Sequence, residues 1–146
     1  MAWTKSGLFY ATQLDQWDDT NLGLDLTSEN WRVAFFGSTV TPNFSTDTAY
    51  GTGTWASGES SGAGYTTGGV PLANTTLAMV GSSMVWDADN VELDASTITA
   101  EGVLLYLPTV SNRAFAAVWF GASKETQDGT FLITWASGGI AALALP

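Results

Sequence analysis

Apolar and polar positions along the chain divide it into a short helical opening and a long succession of strands and turns. From Gly7 to Trp17 the apolar residues Leu8, Phe9, Leu14 and Trp17 recur every three to five positions. This spacing predicts one amphipathic helix with Ser6 as its cap, whose apolar stripe covers the core. A sharper reading makes this opening an N-terminal arm that docks on a neighbouring subunit. Asp15, Asp18 and Asp19, followed by Thr20 and Asn21, end the segment.

After Leu24 no helical period recurs. Trp31–Phe36 is apolar on both parities, as a central strand covered on both faces requires. A polar stretch from Gly37 to Tyr50 is punctuated by Thr41-Pro42-Asn43, which reads as a turn. Gly51 to Gly69 is rich in Gly, Ser and Thr and forms the longest loop candidate. Loops of this length in compact domains are usually functional or disordered. Strand signals then follow at Val70–Val80 (interrupted by Pro71), Ser83–Trp86, Val91–Leu93, Ser96–Ala100, Val103–Leu107, Ala114–Phe120, Thr130–Trp135 and Ile140–Leu145. Phe131, Ile133 and Trp135 alternate with Thr130, Leu132 and Thr134, the signature of a strand with unequal faces. Ala136-Ser137-Gly138-Gly139 reads as the turn of a terminal hairpin. The expected fold is all-β, a β-sandwich or partly open barrel of about eight short strands with one short N-terminal helix. It forms a single domain over 1–146, in which 1–24 carries the helix or arm.

Composition narrows the chemistry. With 146 residues the chain buries about 70% of its unfolded surface and needs no metal or disulfide to hold a core. Only 12% of residues are charged, about half the usual share, so Thr, Ser, Asn and Gly must cover the surface. Fourteen acidic and four basic residues give a net charge of −10. Such a chain cannot build the basic patch that nucleic acid or an anionic membrane demands. Cysteine and histidine are both missing. Thiolate catalysis, Cys-type zinc sites, Ser-His-Asp triads and imidazole metal sites are thereby excluded. Paired carboxylates, a Ser-Lys pair or Tyr remain, which weighs against an enzyme; no catalytic residue, cofactor or small-molecule substrate is expected. The opening residues lack the sustained apolar run of a signal peptide, so synthesis in the cytoplasm is expected.

Asp87, Asp89, Glu92 and Asp94 form the densest carboxylate group. The Asp-x-Asp start resembles a calcium loop, but Glu92 stands where the sharp turn needs Gly, and Ile98 where a closing acid is needed. An ordinary turn at Asp87–Asn90, with Glu92 and Asp94 on the wet face of a strand, accounts for them equally. Gly62, Gly64, Gly68 and Gly69 lack the Lys and the following helix of a phosphate loop. Among the seven Trp, Trp31, Trp119 and Trp135 lie in apolar runs and read as core. Trp55, Trp86 and Trp119 are the candidates for stacking on a sugar. Trp55 sits in polar company, where an aromatic serves as a partner anchor, a sugar platform or core beneath the loop.

Trp31-Arg32-Val33-Ala34-Phe35-Phe36 with Thr41-Pro42-Asn43 is similar to an "IKVALF…YTP(D/N)" opening, and Gly62–Val70 to "GTGYTAGGV". Asp87–Val91 with Ser96–Ala100 is similar to "DADDV…STITA", and Gly129–Trp135 to "GTFTITW". In this order the blocks resemble a family of small virion structural proteins of tailed bacteriophages. The chain departs from the pattern at Leu104–Pro108, where the family has an acidic turn and a polar strand, and in its more apolar tail Ile140–Leu145. The resemblance implies a capsid decoration or minor capsid protein on the virion exterior, with the major capsid protein and copies of itself as partners. It carries over no catalytic residues. A tail or head–tail connector position, and a carbohydrate- or receptor-binding module, are the alternatives. The partner-facing candidates are Trp3, Phe9, Trp55, Tyr65, Leu143 and Leu145.

Overall fold

The computed structural model describes residues 3–18, 23–28 and 30–146. Among these described residues the fold is all-β with one short helix: ten strands in three antiparallel sheets. The largest sheet has five strands, β1 (Gly7–Leu8), β2 (Arg32–Phe36), β3 (Val70–Pro71), β7 (Thr99–Leu107) and β8 (Arg113–Glu125). Its order is β1-β8-β7-β2-β3, which leaves it open, with short strands at both edges. A second sheet has the order β10-β5-β4, formed by Ala141–Ala144, Ser83–Asp87 and Thr76–Val80. A third pairs β6 (Val91–Ser96) with β9 (Gly129–Ile133).

Strand β2 lies beside the edge strand β3 rather than at the centre of the sheet, yet both its faces are covered, as its apolar pattern requires, and its alternation separates two cores. Val33 and Phe35 face one core with Val103, Leu105, Leu107 and Phe115, closed by Val91, Leu93, Phe131, Ile133 and Trp86 of the smaller sheets. Ala34 and Phe36 face the other with Leu104 and Tyr106, closed by Trp3, Phe9, Val40, Phe44 and Trp55. In β8 the register skips one residue between the pairs Leu105–Ala116 and Tyr106–Ala114. This bulge lets both Phe115 and Ala116 reach the first core.

The opening segment departs from the sequence expectation. Gly7 and Leu8 pair with Ala117 and Ala116 of β8, so the helix α1 begins only at Tyr10 and runs to Trp17. Phe9 is its extended N-terminal flank, and its N–H is donated to the Phe115 carbonyl at 3.1 Å. Ser6 is not the cap; its hydroxyl accepts from the Trp119 N–H across the sheet at 2.9 Å. Asp19, Thr20 and Asn21 lie outside the described residues.

The expected terminal hairpin does not form. Ala136–Gly139 is a turn, closed by a bond from the Gly139 N–H to the Ala136 carbonyl. It carries the chain from one sheet to another. Buried Val91 and Leu93 stand opposite buried Ile133 and Phe131, which matches apolar faces and selects β6 as the partner of β9. Beyond the turn, the Ile140 N–H is donated to the Trp86 carbonyl, and β10 pairs with β5 instead. The turn expected at Thr41–Asn43 sits slightly later: the N–H groups of Thr46 and Asp47 are donated to the Asn43 carbonyl.

Candidate interaction surface

The glycine-rich segment is an ordered strap. Gly53–Ala56 makes one 3₁₀ turn that drives Trp55 into the second core, 2% exposed, among Trp3, Phe9 and Phe36. Farther on, Ser60 donates its N–H to the Phe35 carbonyl and its hydroxyl to the Thr99 carbonyl, stitching the strap to β2 and β7. Gly62 adopts φ +150°, and a Cβ there would collide with the Thr97 carbonyl oxygen, so only glycine fits.

Glu59 is the polar hub of this strap. Its carboxylate accepts from the Tyr50 hydroxyl (2.7 Å), the Tyr65 hydroxyl (2.6 Å) and the Gly68 N–H (2.8 Å). Tyr65 in turn accepts the Phe35 N–H of β2, and Tyr106 donates to the Gly68 carbonyl. Tyr50 stacks on Tyr106 with ring centres 4.4 Å apart. Burial raises the ionisation of Tyr50 and Tyr65 well above the ordinary phenol value, and the bonds to Glu59 add to the effect. Burial likewise raises Tyr106. These phenols are therefore donors that stay protonated, and the cluster fastens the strap to the sheet.

The acidic segment is dispersed. Asp87 accepts from the Ala88 N–H, Asp89 from the Asn74 amide, and Asp94 from Thr130. Glu92 and Asp94 lie on the wet face of β6, where a hydrogen bond with Asp94, and then repulsion from it, raises the pKa of Glu92. Among the described residues no group of three acidic side chains converges on a metal position. The sugar-platform candidates are also displaced: Trp86 is buried, its indole bonded to the Leu26 carbonyl, and Trp119 is half-buried. Trp135 is half-buried against the first core.

The partner-facing candidates divide by depth. Trp3 and Phe9 are core, as is Trp55, so none of the three reaches a partner from the folded chain. Gly102 makes room for Trp3: a Cβ there would stand 2.7 Å from the indole. Tyr65 is half-buried in the Glu59 cluster. Leu143 and Leu145 are exposed.

Around them lies an apolar surface that the sequence reading missed in part. All five residues of β4 are exposed, Met79 at 58% and Val80 at 63%. Register places Leu77, Trp86 and Ala141 in one row and Met79, Met84 and Leu143 in the next, on one face of the sheet. The opposite face carries Ala78, Val85 and Ala142. Helix α1 borders the first face. Its inward side is polar: Thr12 is buried and bonds the Ala114 carbonyl, while Asp15 is paired with Arg113. Its outward side carries Tyr10, Leu14 and Trp17, spaced i, i+4, i+7, with Trp17 73% exposed. Of the expected stripe, Phe9 and Leu8 do pack on the cores but lie before the helix, whereas Leu14 and Trp17 within it face solvent. Between helix and sheet runs a groove of about 290 Å³ lined by Leu8, Leu26, Trp17, Leu77, Met84 and Leu143. No helix among the described residues is long and apolar enough to cross a membrane. Comparison with protein-family models, with curated proteins and with solved structures finds no match for this chain.

Proposed function

We propose that this chain is a structural component of a tailed-phage virion, most plainly a decoration or minor capsid protein on the outer shell. The observation that carries this reading is the outward apolar surface of β4, β10 and α1, of the kind that marks a contact with another protein. The ordered motif blocks that resemble phage virion proteins support it. So does the use of the most distinctive polar cluster, around Glu59, to fasten a loop to the sheet. A chain of net charge −10 also suits the outside of a particle better than contact with packaged DNA. The glycan-binding alternative loses its best platforms, since Trp55 and Trp86 are buried.

Cryo-electron microscopy of the purified particle tests the proposal. Density for this fold repeating over the shell is the expected result. Density confined to the tail or portal vertex would move the chain to the connector alternative. A particle lacking the chain altogether, by microscopy and by mass spectrometry, would overturn the virion reading.

A further inference from the structure

We infer that a second copy of this chain docks on the β4 edge and on the groove face beside it. Two observations converge there. First, β4 is an edge strand of five residues, Thr76-Leu77-Ala78-Met79-Val80, that pairs only with β5 among the described strands. It contains no charge, no proline and no bulge, the devices by which proteins block an edge from pairing. Second, the outward stripe of α1 meets this face at Trp17, which lines the groove.

Area and symmetry identify the occupant. With whole residues at roughly 150–250 Å², the exposed parts of Trp17, Leu77, Met79, Leu143 and Leu145 amount to roughly 500–600 Å². Adding the backbone of the edge brings this near the ~800 Å² that each partner contributes to a standard interface. A monomer's largest apolar patch is about 300–600 Å², so this one stands at the upper limit of what is left bare. Leu77–Val80 and Ala141–Leu145 carry no charge, so the surface selects by apolar shape and edge hydrogen bonds. An antiparallel edge supplies both to its own copy across a two-fold axis, and the contact closes. Because each copy carries −10, added salt strengthens this association by screening the repulsion.

Sedimentation equilibrium of the purified full chain tests the inference without reference to any virion. The expected mass is twice 15.3 kDa at roughly 10–100 μM, with tighter association as salt rises. Met79→Lys and Trp17→Ser should each weaken the dimer at least about tenfold with unchanged circular dichroism, because both side chains are already exposed. Leu132→Lys, at a 53% exposed site on β9, is the control and leaves the mass unchanged. A monomeric parent chain throughout this range would overturn self-association and give the surface to a different protein. A dimer that survives both substitutions would overturn its location.

Discussion

Truncating Trp55 is the sharpest test of the two-core architecture. Its ring is 2% exposed and meets three aromatics, with centre distances of 5.7 Å to Trp3, 5.9 Å to Phe9 and 4.8 Å to Phe36. Trp→Ala at such a site costs about 3–5 kcal/mol through lost transfer energy and the cavity left behind. For 146 residues at about 2.1 cal/mol/K each, the unfolding entropy is about 0.3 kcal/mol/K, so Tm should fall by about 10–16 °C. The indole nitrogen adds a second, finer expectation. It is shut away from solvent with no hydrogen-bond partner, a burden of about 1–3 kcal/mol that a phenyl ring does not carry. Trp55→Phe therefore trades a smaller ring against the removal of an unpaired donor, and its Tm should stay within about 4 °C of the parent. Differential scanning calorimetry of the two variants reads both numbers. A loss below about 4 °C for Trp55→Ala would refute core packing of this residue. Equal losses for Ala and Phe would refute the account of the indole nitrogen.

Glu59→Gln removes a carboxylate that accepts three hydrogen bonds, and urea titration should show a loss of about 1.5–3 kcal/mol. The same cluster sets an alkaline limit. Tyr50, Tyr65 and Tyr106 have folded pKa values raised above 10, so their contribution is fully present below about pH 10. It is lost as pH rises further, because the unfolded chain then releases protons that the folded chain retains. Stability measured against pH should fall above 10, and less steeply in Tyr50→Phe/Tyr65→Phe. Gly102→Ala places a methyl 2.5 Å from the Val118 carbonyl and 2.7 Å from the Trp3 ring, and should cost about 1–3 kcal/mol. Because that cost comes in part from displacing Trp3, it should be smaller in a Trp3→Ala background, which a double-mutant cycle measures.

Strands were legible in the sequence where each face had one fate. Phe131, Leu132 and Ile133 alternate buried, exposed, buried, and β2 is covered on both sides as its composition demands. Partners were not legible. Thr130–Trp135 and Ile140–Leu145 are neighbours in sequence with a sound turn between them, yet Trp135 donates its indole N–H to the Asp89 carbonyl and thereby ties β9 to β6. Helical period survived as well, but not its direction. A stripe at i, i+4, i+7 states that an apolar side exists and says nothing about which way it turns. The polar side of α1 is held inward by Thr12 and Asp15 through contacts with Ala114 and Arg113, about 100 residues away in sequence. Trp55 could be seen as unusual in its polar surroundings, but the 3₁₀ turn that sends it inward follows from its tertiary neighbours.

The strand order β1-β8-β7-β2-β3 also bears on how quickly the molecule can form. Apart from the β7–β8 hairpin, the pairings in the large sheet join distant parts of the chain: Gly7 meets Ala117, Val33 meets Leu105, and Thr12 bonds a carbonyl 102 residues on. Loop-closure entropy must be met before any of these contacts stabilises the chain, which places such topologies in the millisecond-to-second range. During synthesis β2 emerges long before β7, and Trp31–Phe36 must wait, apolar on both sides, for its central partner. The nascent chain is therefore most exposed to misassociation while that strand stands unpaired, and a chaperone that shelters extended apolar segments should raise its yield more than one that hastens late packing.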